Sequence, residues 1–168
     1  DNAGTDVKVH AGRALAAMSQ CSEPYRLDPV TLETLGPDGA WARRLGDRGI
    51  CSHFQVDAHT GEMMFFNFGE HPPYFNYGVL SADNRLVHYE PIDLPHATWP
   101  HDLGMSEHYC VIHDLSMFFD PEGLKKGQHR LHFHRDRPAR FGVIPRFGTS
   151  RDVRWFEGMP CYILHLAN

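Results

Sequence analysis

The stretch "SHFQVDAHTGEMMFF", residues 52–66, decides the fold because it has the pattern of a β-hairpin. His53 opens a short strand that runs to a turn at Asp57, and an apolar return strand runs to Phe66. An Asp at the first turn position can accept a hydrogen bond from its own backbone two residues on. The stretch "RLDPVTLETLG", residues 26–36, has the same outline and predicts a second hairpin of this kind.

Short apolar runs between turn signals continue along the whole chain. Residues 10–20, "HAGRALAAMSQ", fit both the helical and the strand period, and we interpret them as a strand. Frequent turns between runs of about four to eight apolar residues predict an all-β fold of hairpins and meanders. The runs are "EMMFFNF", "YFNYGVL", "RLVHYEPI", "YCVIHDL", "HRLHFHR" and "CYILHL".

Composition places the chain among folded globular proteins. Its 168 residues are enough for one ordinary domain, and 42% of them are apolar against 22% charged. A net charge of -5 lacks the basic footprint of nucleic-acid binding, so we predict no nucleic-acid partner. No apolar stretch approaches the roughly 20 residues that cross a bilayer.

The cysteines indicate a reducing compartment. They lie far apart without a C-x-x-C pair, which argues against a zinc knuckle or a disulfide framework. We therefore predict reduced thiols and a cytoplasmic location. The four positions are Cys21, Cys51, Cys110 and Cys161.

Three of the thirteen histidines occupy matching positions in the repeated pattern. In residues 100–115, His101 opens a short strand that turns near Ser106 and returns toward His113; in "LHLAN", His165 opens what is predicted as a third unit.

These histidines recur at the spacing of propeller blades. His101 follows His53 by 48 residues, and His165 follows His101 by 64. Propeller blades repeat at about 40–50 residues, with insertions tolerated in loops. One histidine at the same place in each blade would converge on the propeller axis. Several neutral imidazoles around one ion suit Zn, Cu, Fe or Ni, and the spacing does not choose among them.

The remaining histidines have ordinary interpretations. His88 and His113 lie in strands and are predicted to be hydrogen-bonded core residues. The main rival site is "HRLHFHR", residues 129–135, where His132 and His134 share one strand face. Such a pair can bind zinc, but a third ligand is not evident, so a hydrated sheet face is favoured. Solvated loop positions are predicted for His59, His71, His96 and His108.

A family resemblance covers nearly the whole chain. The chain resembles the carotenoid cleavage oxygenases, a group that includes apocarotenoid oxygenases and lignostilbene dioxygenases. The resemblance is carried, in order, by "PYRLDPVTLETLG", "SHFQVDAHTGEMMFF", "YGVLSADNRLVHYEPIDLP", "PHDLGMSEHY", "HDLSMFFDPE", "RFGVIPRFG" and "RWFEGMPCYILHLAN".

The resemblance implies a seven-bladed β-propeller with Fe(2+) on its axis, held by four histidines. His53 matches the first ligand, His101 the second and His165 the third, and Asn168 matches an Asn of the third motif. The fourth ligand has no counterpart in this chain. We therefore expect residues 1–168 to be a single central segment of about three blades, truncated at both ends.

The activity implied by the resemblance is that of an Fe(II)-dependent dioxygenase. It would cleave a carbon–carbon double bond of a carotenoid, apocarotenoid or stilbene-like substrate with O₂, giving two carbonyl products. The implied partners are an apolar conjugated small molecule and O₂. Membrane association is left open but is not indicated. The isolated segment is expected to be inactive, because unclosed blades expose their edges.

One position departs from the family pattern. Relatives usually carry a Glu that accepts a hydrogen bond from a ligating imidazole, and here Gln20 stands at that position. Gln accepts the same bond without charge, so it would not balance the ion. Ser19 stands where stilbene-cleaving relatives tend to have Lys, which weakens a hydroxystilbene substrate. Gln20 and the missing fourth ligand support an alternative: a catalytically inactive propeller scaffold or binding module.

Overall fold

The computed structural model describes residues 4–167, in which strands joined by short turns dominate. The two short helices are α1 (Gly39–Ala42) and α2 (Pro121–Lys125), and 3₁₀ turns cover Arg43–Arg48 and Ser150–Asp152. No helix in these residues is long and apolar enough to span a bilayer. The strands are β1 (Asp6–His10), β2 (Arg13–Ala17), β3 (Tyr25–Leu27), β4 (Thr34–Pro37), β5 (Gln55–Val56), β6 (Met63–Phe68), β7 (Phe75–Leu80), β8 (Leu86–Ile92), β9 (Gly104–Met105), β10 (Tyr109–Asp114), β11 (Met117–Phe119), β12 (Leu131–Phe133), β13 (Ala139–Pro145) and β14 (Arg154–Gly158).

Most of the described strands belong to three four-stranded sheets. The first has the order β1-β2-β3-β4, the second β5-β6-β7-β8 and the third β14-β13-β10-β9; β11 and β12 form a separate pair. Neighbours in the first two sheets are consecutive in sequence, which is the meander predicted from the closely spaced turns. The predicted all-β class is confirmed.

Two aspartates close the predicted twin hairpins in the same way. Oδ1 of Asp28 accepts hydrogen bonds from the Val30 and Thr31 N–H groups, both at 2.8 Å. Oδ1 of Asp57 accepts from the His59 N–H, also at 2.8 Å. The strands on either side of each turn pair antiparallel, β3 with β4 and β5 with β6. Both hairpin predictions are therefore confirmed.

The ambiguous residues 10–20 contain strand β2 and no helix. The strand pairs antiparallel with β1, and Ala11 and Gly12 form the turn with φ of 49° and 72°. Positive φ at both central residues suits a two-residue hairpin turn. Ala14 to Ala17 are all buried, so the small side chains of β2 lie inside the protein. The strand interpretation is confirmed for Arg13–Ala17.

The strand predicted for "CYILHL", residues 161–166, is not formed. The structure has no strand over residues 161–167. Hydrogen bonds from this segment go elsewhere: the Leu166 N–H donates to Oδ2 of Asp102 at 2.8 Å, and the Cys161 carbonyl accepts from the Ser116 N–H at 3.3 Å. A ladder strand needs a row of backbone partners, and these isolated bonds do not supply one. Asn168 lies outside the described residues.

The chain divides into two compact units. The first comprises the residues up to Asn67 together with Asn76–Glu90. Its core is built around Phe65, whose ring centroid lies 5.7 Å from that of Trp41 and 6.2 Å from that of Tyr89. The Trp41 indole N–H donates to Asp38 at 3.1 Å, so this large ring is buried with its polar atom satisfied.

The second unit comprises Phe68–Phe75 and the chain from Pro91 onward. The Trp99 ring packs edge-on between Phe68 and Phe119, with centroid distances of 5.4 and 5.3 Å. Arg140 pairs with the buried carboxylate of Asp114, and the Arg140 Nε–H donates to Oδ2 at 2.7 Å. This ion pair joins β10 to β13 in the middle of the third sheet.

All four cysteines are free thiols, as predicted. Cys51 and Cys110 are buried, and Cys21 and Cys161 are half-buried. The Cys51 N–H donates to the Phe66 carbonyl at 2.9 Å, so this cysteine belongs to the backbone network just before His53.

Gly49 controls the path of the chain toward His53. Its φ is 62°, and a β-carbon there would overlap the backbone of Ser22. Ser22 pairs with Ile50 through N–H to carbonyl bonds of 3.1 and 2.9 Å. We predict that Gly49→Ala lowers the free energy of unfolding by about 3 kcal/mol or more, from left-handed strain plus overpacking.

The matched control is Gly12→Ala, at a positive φ of 72° with nothing near the added methyl group. It should cost only about 1 kcal/mol, from strain alone. Denaturant unfolding of both variants provides the measurement. Equal losses would show that the Ser22 backbone moves aside without cost.

Candidate metal centre

Two of the three predicted ligands lie together in the second unit. His101 precedes β9 and is half-buried, and His165 lies in the strand-free segment near the end of the chain and is exposed. Their ring centroids are 5.3 Å apart, with 42° between the ring planes. The second unit therefore brings together two histidines that are 64 residues apart in sequence.

His53 is held in the first unit by the backbone network around β5 and β6. The Ser52 N–H donates to the Met18 carbonyl at 3.1 Å, which fixes the residue before the imidazole. Nδ1 of His53 lies 3.6 Å from Oδ2 of Asp6. The Nδ1 side of the ring therefore faces a carboxylate.

A lysine lies beside the same carboxylate. Nζ of Lys8 is 3.5 Å from Oδ2 of Asp6 and donates to the Phe54 carbonyl at 2.5 Å. The ammonium therefore bonds to the residue directly after His53 and offsets part of the negative charge behind the imidazole. The Asp6 and Lys8 side chains are 28% and 26% exposed, so solvent screens this pair only in part.

The candidate ligand atoms are imidazole nitrogens. His53 offers one from the first unit, and His101 and His165 each offer one from the second unit. Neutral imidazole is a donor that Fe, Zn, Cu and Ni accept, so the donor set fits such an ion. That the three residues bind a metal remains a prediction.

The rival cluster at residues 129–135 does not gather three ligand atoms in the part of the chain described. The ring of His134 stacks on Phe118 with centroids 4.7 Å apart, and Nδ1 of His129 accepts from the Leu131 N–H at 3.1 Å. These two rings are therefore engaged in local packing and backbone contacts.

The loop histidines divide into two kinds. His59, His71 and His108 are exposed, as predicted. His96 is not a solvated loop residue: its ring centroid lies 3.8 Å from that of Phe118, and its Nε2 lies 3.6 Å from Oδ1 of the buried Asp114. The local Pro-rich sequence gave no indication of these contacts because both partners come from later parts of the chain.

Two buried histidines differ in whether their ring nitrogens form hydrogen bonds. The His10 ring bonds to the Asn84 side chain at 3.2 Å and to the Gly61 carbonyl at 3.1 Å. His113 is 1% exposed, and neither of its ring nitrogens has a hydrogen-bond partner among the described residues. Its core position was predicted correctly, but the predicted hydrogen bonding is wrong. Its ring lies edge-on to Phe141, with centroids 5.8 Å apart.

Gln20 is exposed, and its Oε1 accepts a hydrogen bond from the Ser19 hydroxyl at 3.2 Å. Its predicted role beside a ligating imidazole remains a prediction.

The sequence analysis did not identify Asp6 and Asp102 as candidate site residues. Asp6 lies close to His53 in space, and Asp102 directly follows His101 in sequence. The only signal for Asp102 is its position directly after His101, and Asp6 has none.

Comparison with known proteins identifies relatives along the full chain. The family model described as retinal pigment epithelial membrane protein matches residues 1–168. The carotenoid 9,10(9',10')-cleavage dioxygenase 1 of Phaseolus vulgaris is 35% identical over 169 residues, covering 98% of this chain and 31% of that protein. The lignostilbene-alpha,beta-dioxygenase isozyme III of Sphingomonas paucimobilis is 33% identical, covering 92% of this chain and 32% of that protein. The chain thus spans about a third of the length of these relatives.

Solved structures agree with these matches. The lignostilbene dioxygenase of Pseudomonas brassicacearum superposes with a TM-score of 0.80 and 32% identity, covering 95% of this chain and 34% of that one. A cobalt-substituted apocarotenoid oxygenase of Synechocystis, 19% identical, superposes with a TM-score of 0.76 over 97% of this chain and 36% of that one, and it supports the fold alone. With the three four-stranded sheets, these matches confirm the predicted propeller segment of about three blades.

His113 should make stability depend on acidity. Burial lowers the pKa of its imidazole below the ordinary 6.5, and the nearby charge of Asp102 opposes this only in part. Below about pH 6.5, the unfolded chain takes up a proton that the folded chain does not, so stability falls as the pH falls. We predict that His113→Leu reduces this slope by at most about 1.4 kcal/mol per pH unit.

The measurement is the free energy of unfolding from pH 7.5 to pH 5. His59→Leu, the same substitution at an exposed position, serves as the matched control. An unchanged slope in His113→Leu would show that the imidazole gains its proton equally in both states.

Proposed function

The chain belongs to the carotenoid cleavage oxygenase family, whose model is described as retinal pigment epithelial membrane protein, and on this premise we propose that it is part of an Fe(II)-dependent dioxygenase. The proposed reaction cleaves a carbon–carbon double bond of a carotenoid, apocarotenoid or stilbene-like substrate. Each carbon of the broken bond receives one atom of O₂, which gives two carbonyl products and needs no external reductant.

The proposal rests on one observation above all: two histidines predicted from separate motifs, His101 and His165, lie with their ring centroids 5.3 Å apart. We propose that His53, His101 and His165 hold the iron and that a fourth histidine comes from outside residues 1–168. When bound, the ferrous ion supplies the redox chemistry that O₂ requires.

The residues around these imidazoles orient the rings. Oδ2 of Asp6 faces Nδ1 of His53, so Nε2 would be the nitrogen that holds the ion; a carboxylate behind a ligating imidazole is the usual arrangement in metal sites. His101 and His165 present their rings side by side, 5.3 Å apart. The reaction requires no general base from the protein, so the task of these groups is to position the ion.

The substrate class follows from the relatives, which are named for cleavage of carotenoids and lignostilbenes. A conjugated apolar small molecule and O₂ are the partners we propose. Ser19 stands where the resemblance implies a Lys in stilbene-cleaving relatives, which weakens a hydroxystilbene substrate. The four free thiols support the proposed cytoplasmic location.

The alternative is a catalytically inactive scaffold of the same fold, and Gln20 supports it. Gln20 brings no charge to balance a dipositive ion, and its hydrogen bond comes from Ser19. Under this alternative, the propeller would bind a partner or ligand without iron.

We predict that His101→Ala in the full-length protein abolishes cleavage and lowers the iron content by more than about tenfold, because loss of a direct ligand should cost at least as much as loss of a supporting residue. The measurements are iron per protein by elemental analysis and the carbonyl products by mass spectrometry. The control is the double variant His132→Ala/His134→Ala, which removes the rival histidines and should keep both iron and activity. Iron and cleavage that persist in His101→Ala would refute the ligand assignment.

Gln20→Glu separates the enzyme from the scaffold. If the protein binds iron, a carboxylate at this position should slow iron release by about 10- to 100-fold, the usual effect of a group that supports a ligand. Asp83→Asn, at an exposed loop position, controls for a change of one charge. Absence of iron from both the wild type and Gln20→Glu, under anaerobic loading with ferrous salt, would favour the scaffold.

A further inference from the structure

His165 lies in a segment that does not pair with a strand. Residues 161–167 form no strand, so the position of this imidazole depends on individual contacts. The Leu166 N–H, one residue beyond His165, donates to Oδ2 of Asp102 at 2.8 Å. This bond links residues 64 positions apart and lies next to His165.

Asp102 is built into the protein at the matching place beside His101. It is 5% exposed, and its Oδ1 accepts a hydrogen bond from the Leu103 N–H at 2.7 Å. Each carboxylate oxygen therefore accepts a backbone N–H, and hydrogen bonds to an ionised acceptor are shorter and stronger than neutral ones. One buried side chain thus ties the backbone after His101 to the backbone after His165.

Packing reinforces this tie. Gly104 lies in β9, and a β-carbon there would stand 3.1 Å from Cδ1 of Leu166 and 3.0 Å from Cβ of Val111. The missing side chain lets Leu166 lie closely against β9 and β10. Leu166 is therefore held by its N–H and by its side chain, which leaves little freedom to the neighbouring His165.

We propose that Asp102 is a positioning residue that sets the separation of the His101 and His165 imidazoles by joining their two backbones. The inference rests on the proposed function in that the two imidazoles must share an ion. Asp102 itself is not proposed as a ligand. Its carboxylate also brings a negative charge beside a site whose ligands are neutral, which favours retention of a dipositive ion.

Two substitutions in the full-length protein test this role. Asp102→Ala removes both acceptors, and Asp102→Asn keeps the size but places an NH₂ group against one of the backbone N–H groups. We expect both variants to release iron to a chelator about 10- to 100-fold faster than the wild type. In cobalt-loaded protein we expect their visible ligand-field bands to shift, because altered imidazole positions change the geometry at the metal.

The matched control is Asp114→Asn. Asp114 is a buried carboxylate of the same unit, 2% exposed, but its partners are Arg140 and His96. This variant should lose stability in thermal unfolding while it keeps the iron release rate and the cobalt spectrum of the wild type. A general loss of packing would change the iron release rate and the cobalt spectrum in all three variants. A positioning role changes them only in the two Asp102 variants.

The outcomes separate the inference from the proposed function. Wild-type iron binding with unchanged release and cobalt spectra in folded Asp102→Asn would overturn the positioning role and leave the iron site intact. Identical changes in Asp114→Asn would overturn it as well. A wild-type protein that takes up neither iron nor cobalt would instead overturn the proposed function.

Discussion

The geometry of the candidate centre depends on one recurring interaction, an aspartate carboxylate that accepts backbone N–H groups. Asp57 closes the turn after the strand that follows His53, and Asp102 bonds the backbone after His101 to the backbone after His165. A short carboxylate has few rotamers and strong acceptors, so it fixes a backbone more tightly than a long side chain could. The three imidazoles themselves lie outside the strands, and these carboxylates help to hold the segments that carry them.

Much of the fold could be predicted because its signals are local. The Asp28 and Asp57 turns each bond within three residues, so their motifs carry the whole cause of the hairpin. The prediction of a strand at residues 161–166 was wrong because strand pairing depends on distant residues. An apolar run indicates that a segment is buried or paired, but its ladder partner must come from elsewhere, and here one N–H is taken by Asp102.

In the candidate site too, features set by local sequence could be predicted, and contacts between distant residues could not. The three histidines could be singled out because each begins a repeated motif, whereas Asp6 reaches His53 across 47 residues and has no motif of its own. His113 was correctly placed in the core from its strand pattern. Its unpartnered imidazole depends on what faces it from other strands, and Phe141, which does so, is apolar.

Charge balance distinguishes the two carboxylates near the histidines. Three neutral imidazoles would leave a dipositive ion uncompensated, and Gln20 adds no charge. Asp6 faces His53, but the Lys8 ammonium lies 3.5 Å from the same oxygen and offsets its charge. The two N–H groups that Asp102 binds are dipoles without net charge, and burial reduces screening by solvent. An ion held at this centre would therefore have two carboxylates near its proposed ligands, Asp6 beside His53 and Asp102 directly after His101.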